Sequence, residues 1–132
     1  MGPDNLKILT VCKDDETLEL LAKAVCLKYP KSRLFFAKTV EECLQKHEQN
    51  QPDILILVLD DSVFEFVGLV SKVLLIYPHC SVLLISHYSS GESISRCVKL
   101  GVKDVLITPL NYELFLRKLA AIIMLHGDKT IS

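Results

Sequence analysis

A chain of 132 residues, half of them hydrophobic and 23% charged, is long and apolar enough to bury one full core, which excludes a disordered segment and fits a single domain. A formal net charge of -1 without any cluster of lysine and arginine argues against direct nucleic-acid binding, because a polyanion needs several phosphates neutralised on one face. The longest apolar runs, Ile54 to Leu59 and Val73 to Tyr77, fall short of the roughly 20 residues that span a bilayer, and Met1 to Asn5 shows no basic-then-apolar signal, so a cytoplasmic protein without a membrane segment is expected.

Lys7 to Val11 is a short apolar run that predicts a buried strand, and Asp14 to Glu16 open a helical pattern after it. Leu18, Leu21, Ala22, Val25 and Cys26 recur at helical spacing until Tyr29-Pro30 stops them. Arg33 to Ala37 predicts the second strand. Thr39 with Glu42 three residues on is a capping box, which starts a second helix over Val40 to His47. Pro52 precedes a third strand, Ile54 to Leu59, whose unbroken apolar character suits a parallel strand covered on both faces. A helix over Val63 to Ile76, a strand over Ser81 to Ile85 and a helix over Ile94 to Leu100, closed by Gly101, follow in turn. Asp104 to Ile107 is the fifth strand, and a last helix runs from about Asn111 to Leu125. Strand and helix alternating at this spacing predict an α/β fold, a doubly wound five-stranded parallel sheet of flavodoxin-like order 2-1-3-4-5. One domain over 1–125 and a C-terminal tail over 126–132 are expected.

The five cysteines, Cys12, Cys26, Cys43, Cys80 and Cys97, show no C-x-x-C or Cys/His ligand spacing, and four of them lie in apolar patterns where cysteine acts as a small hydrophobe. No metal site is expected from them. His47 and His126 fall at polar helix ends, and only His87 falls near a candidate site.

Several anchors in register carry a family resemblance. Pro52-Asp53 starts the third strand, Tyr77-Pro78 ends the third helix, Ser86 ends the fourth strand, Gly101-Val-Lys-Asp104 precedes the fifth, and Thr108-Pro109 leaves it. With these features the chain, over about Lys7 to Leu125, resembles a response-regulator receiver domain of the chemotaxis-regulator type. The resemblance implies a place in two-component, phosphorelay signal transduction. It also implies a phosphoacceptor aspartate six residues after Pro52, two acidic residues at the end of the first strand that help hold magnesium, a Ser/Thr after the fourth strand, and a lysine before the proline after the fifth. Those positions are Val58, Cys12 and Lys13, Ser86, and Thr108 before Pro109. Ser86 alone matches in chemistry. The aromatic switch position of the family is Val105.

These departures agree with one another. A hard divalent ion wants oxygen ligands, and Cys12 with Val58 offer no carboxylate while Lys13 adds positive charge; at about 4 Å and an effective dielectric near 20, each like charge costs on the order of 4 kcal/mol. A degenerate pseudo-receiver that is not an enzyme, needs no cofactor and acts by constitutive protein-protein interaction is therefore expected. The alternative is a working receiver in which a bulge brings Asp60 or Asp61 toward Asp14 or Asp15, with magnesium in the rebuilt acidic pocket. A reading of a different class, a cysteine-based phosphocarrier or phosphatase using Cys12, conflicts with the three carboxylates of Asp14 to Glu16 beside it, which repel phosphate.

The expected partners are proteins: a second copy in a homodimer, an output domain or a histidine kinase. The helix over Val63 to Ile76 carries more apolar residues than one buried stripe requires. If Val67, Val70, Val73 and Leu74 face the sheet, some of Phe64, Phe66, Leu69 and Leu75 are left for a partner. The apolar end of the last helix, with Ile123 and Leu125, is a second candidate. The resemblance adds the face of the fourth helix, fifth strand and fifth helix, with Ile94, Arg96, Lys103, Tyr112 and Arg117.

Overall fold

Apolar runs and helical repeats resolve into five strands and five helices among the described residues of the computed structural model, which are 6–59, 63–86 and 91–131, with backbone alone for 63–66, 93 and 127–131. In chain order they are β1 (Lys7–Val11), α1 (Asp15–Lys28), β2 (Arg33–Ala37), α2 (Val40–Asn50), β3 (Ile54–Val58), α3 (Val63–Ile76), β4 (Ser81–Ser86), α4 (Gly91–Leu100), β5 (Asp104–Ile107) and α5 (Tyr112–Ile131). The strands form one parallel sheet in the order β2-β1-β3-β4-β5. β3 is central, and its register against β4 pairs Ile54 with Ser81 and Val58 with Ile85.

Alternation along each strand divides the core into two layers, because successive side chains point to opposite faces. Ile8, Ile54, Ile56, Leu83, Ile85 and Leu106 pack under α1 and α5 against Leu21, Val25, Phe115 and Leu119. On the other face Leu9, Val11, Leu55, Leu57, Val82 and Leu84 meet Cys43 of α2, Leu69, Val70 and Val73 of α3 and Cys97 of α4. β3 is buried on both faces from Ile54 to Leu57, which is why its sequence is continuously apolar rather than alternating.

The helix starts follow their caps. Asp14 accepts from the backbone N–H and the hydroxyl of Thr17, Thr39 accepts from Glu42 N–H at 3.1 Å, and Asn111 accepts from Leu114 N–H at 3.1 Å. The reciprocal arm of the box at Thr39 is displaced by one residue, the Glu42 carboxylate accepting from Lys38 N–H at 3.4 Å. α2 runs beyond His47 to Asn50 and is closed by Gln51 in the left-handed region at φ 47°. α4 starts earlier than its apolar pattern, at Gly91, and α5 continues past Leu125 to Ile131.

Several side chains sit elsewhere than the pattern predicts. Leu69, a candidate for the exposed side of α3, is 2% exposed. α3 meets α2 and α4 as well as the sheet, so its buried stripe is wide enough to include Leu69; among the described side chains of α3, Leu75 and Ile76 are the large apolar ones left exposed. Cys26 is exposed although it falls in the apolar pattern of α1, whereas the other four cysteines are buried. Neither histidine expected at a polar helix end is fully solvated. His47 is buried against Tyr77, ring centroids 4.2 Å apart, and His126 Nε2 lies 3.2 Å from the Asp53 carboxylate.

Candidate functional site

The site predicted from the motifs lies where the parallel strands end. Val58 is the last residue of β3 and half-buried, its side chain on the α1/α5 face. Leu59 N–H then donates to Ile85 O at 2.8 Å, which carries the parallel pairing one step beyond the strand. Cys12, 2% exposed at the end of β1, donates its N–H to Ala37 O at 3.0 Å, and its thiol donates to Asp14 O at 3.5 Å. Ser86 is fully buried at the end of β4, and its carbonyl accepts from Thr108 N–H at 2.9 Å. The Thr108-Pro109 peptide is cis. Cys12, Lys13, Val58 and Thr108 line one cavity of about 540 Å³, which also takes in Asp14, Thr17, Leu59, Ile85, Leu110 and Tyr112. Val105 is on the other face, half-buried against the α2–α4 layer.

The charged groups around this cavity have structural tasks. The Thr17 hydroxyl, and then its backbone N–H, hold the Asp14 carboxyl below its usual range, as expected for a cap that favours the carboxylate. Asp15 lies 2.6 Å from the Lys38 ammonium at the surface and raises the Lys38 pKa through that contact. Burial first, and then Glu16 and Asp14, push the Tyr112 phenol up. Of the alternative acidic pocket, Asp14 and Asp15 are therefore committed to a helix cap and a surface ion pair, while Asp60 and Asp61 lie outside the described residues, as does His87. Among the described residues no group of three or more His, Cys, Asp and Glu could hold a metal ion.

The motif anchors led to the strand ends but missed part of the cavity wall. Thr17, Leu59, Ile85 and Leu110 carry no motif, and only the register of the strands and the return of the chain after Pro109 bring them together. Tyr112, expected at an interface, instead lines this cavity.

The other interface candidates divide. Phe64 and Phe66 lie on the α3 backbone, and their side chains are outside the described residues. Ile94 is half-buried against the α2–α4 core and Ile123 against the α1/α5 core, so neither offers a full side chain to a partner; Met124 and Leu125 are the exposed residues beside Ile123. Arg96 and Arg117 are exposed and hold i,i+4 contacts with Glu92 and Glu113, and Lys103 is exposed. On the same three elements Val98, Leu100, Ile107 and Leu114 are exposed apolar residues. They rank with Leu20 and Leu27 of α1 as apolar surface that the sequence pattern did not single out.

Among the described residues no helix is long and apolar enough to cross a membrane. A central parallel sheet in this order, helices on both faces and a crevice outside the strand ends define a doubly wound, flavodoxin-like α/β domain. Solved structures place that fold more narrowly. A CheY-like response-regulator receiver domain protein from Methanospirillum hungatei JF-1 matches with a TM-score of 0.85 at 20% identity, covering 96% of this chain and 99% of that one. The signal receiver domain of an HD domain-containing protein from Pseudomonas fluorescens Pf-5 matches at 0.84 and 18%, covering 94% and 98%. A two-component response regulator from Clostridium difficile matches at 0.79 and 25%, covering 91% and 97%. The chain has the fold of the CheY-like receiver domains of response regulators. No family model and no curated protein matches it in sequence.

Proposed function

We propose that this chain is a cytoplasmic receiver-like domain of two-component signalling that is not phosphorylated, is not an enzyme, and works through constitutive contact with a protein partner. The observation that carries this reading is the register of β3. Val58, six residues after Pro52, ends the central strand opposite Ile85, and its side chain has no lone pair to offer phosphorus. Cys12 and Lys13 at the neighbouring strand end supply no carboxylate for magnesium. Thr108 replaces the cation that would balance a phosphoryl group, and Val105 replaces a ring that would report it.

With no phosphoryl switch, association is set by the surface alone. The α4-β5-α5 side, with exposed Val98, Leu100, Ile107 and Leu114, is the surface we assign to a second copy, an output domain or a kinase. Intact-mass analysis after incubation with acetyl phosphate and magnesium tests the chemistry: the mass should stay unchanged. A labile gain of one phosphoryl group that maps to Asp60 or Asp61 would overturn the reading in favour of a working receiver.

A further inference from the structure

We propose that the cavity at the strand ends is a binding site for an uncharged, ring-containing small molecule, held between the β3–β4 wall of Val58 and Ile85 and the opposing Leu110 and Tyr112. This rests on the reading that no phosphoryl chemistry occupies the site. Three observations support it.

The first is place. β1 and β3 are neighbours in the sheet, yet the chain leaves β1 toward β2 and leaves β3 toward β4, so the crossovers diverge and open a crevice between their carboxyl ends. Ligands of doubly wound sheets bind in such a crevice. Cys12 and Lys13 from β1, Val58 and Leu59 from β3, Ile85 from β4 and Thr108 after β5 all reach it.

The second is size and lining. About 540 Å³ lies within the roughly 300–1,000 Å³ of small-molecule sites, which are mostly apolar with a few polar groups that orient the ligand. Val58, Ile85 and Leu110, all of the α1/α5 layer, provide the apolar wall, and the Tyr112 phenol provides a hydrogen-bond donor. Of two further cavities among the described residues, one between α2 and α3, about 550 Å³, has a polar rim of Thr39, Glu41 and Lys72, and one beside His47 is smaller at about 370 Å³.

The third is charge. Asp14 at the rim, with Asp15 and Glu16 on the following turn, outnumber Lys13 and the Lys38 that pairs with Asp15 by three to two, and the α1 N-terminus they occupy is already capped by Asp14. An anion would meet carboxylates where it needs donors. A neutral ring carrying one acceptor meets apolar walls and the Tyr112 hydroxyl, a phenol that is protonated at neutral pH even at its ordinary pKa of about 10.

Titration of the full chain with N-phenyl-1-naphthylamine, an uncharged fluorescent ring compound, tests the proposal alongside amide chemical-shift mapping with indole. The expected result is saturable binding with shifts centred on Val58, Ile85 and Tyr112, and at least tenfold weaker binding of 1-naphthoate. Leu110→Trp, which fills the space, should lower affinity at least tenfold; Val58→Phe is the second filling variant should the first not fold. Saturable shifts centred on His47 and Tyr77, or no saturation by millimolar probe, would overturn the proposal. A phosphodonor arm separates the two readings. A gain of phosphoryl mass refutes the underlying reading, whereas unchanged mass with no probe binding refutes the small-molecule site alone.

Discussion

Where the strands end, at Cys12, Val58 and Ile85, the wall is apolar and the nearby carboxylates of Asp14 and Asp15 turn to a helix cap and a surface lysine. Where the strands begin, the chain does the reverse and takes ionisable groups inside. His47 packs on Tyr77 with both ring nitrogens lacking a hydrogen-bond partner among the described residues, and Asp53 joins Lys7 N–H at 2.9 Å and His126 at 3.2 Å. The difference teaches that the buried histidine of this domain lies at the edge where the strands begin, while the edge where they end is walled mainly by apolar side chains with its charges kept at the rim.

The largest test of that contrast is acid. Burial pushes His47 down to about 4 from an ordinary 6.5, so the folded chain refuses a proton that the unfolded chain accepts first as pH falls. Stability from a neutral His47 is complete above about 6.5, and on the order of 3 kcal/mol is lost as pH falls through about 4. Urea unfolding between pH 7 and 4 should show this slope, and His47→Phe should remove most of it. Equal slopes in the two proteins would break the contrast.

A smaller effect is expected from placing a charge at the opposite edge. Val58→Asp buries part of a carboxylate against Ile85 and Leu110, which should cost about 1–3 kcal/mol at pH 7 and less in acid, where the group is neutral. Thermal unfolding with and without magnesium sharpens the point. Val58→Asp alone should gain nothing from the ion, because Lys13 stays in place, whereas adding Lys13→Asp should give a magnesium-dependent rise in Tm. A rise with the single substitution would show that some other group already supplies the ligands.

The smallest of the three concerns the helix that follows β2. Thr39→Ala removes the acceptor for Glu42 N–H and should cost about 1 kcal/mol by urea unfolding, with little change in probe binding at the strand ends. Loss of probe binding would mean that the cap positions the cavity as well as the helix.

The order of elements was legible because each boundary carries a local signal: the Thr39 box, Pro30, Pro52, Pro78 and Gly101, which closes α4 at φ 116°. Pro52 likewise gave the register that puts Val58 at the strand end. The phase of α3 was not legible. Ten of its 14 residues are Val, Leu, Ile or Phe, so a 3.6-residue period selects no unique face, and the packing of α2 and α4 decides that Leu69 turns inward. His47 had a readable sign in the spacing Val40, Cys43, Leu44, His47, which continues one stripe down α2. Its residue type hid it, since the aromatic ring that covers it arrives from Tyr77, beyond α3. The cavity wall at Leu110 was illegible for a related reason: no local pattern says where the chain lands after Pro109.

The sequestration of four of the five thiols makes the protein a record of its own opening. Cys26 stands exposed on α1, whereas Cys43, Cys80 and Cys97 lie in the α2–α4 layer and Cys12 at the end of β1. Burial holds the Cys43 and Cys80 thiols up at about 12, so almost none of the nucleophilic thiolate exists there at neutral pH. Native alkylation or oxidation is thereby directed first to Cys26 on the surface, and modification of Cys43, Cys80 or Cys97 dates the exposure of the α2–α4 layer, without any label having been engineered into the chain.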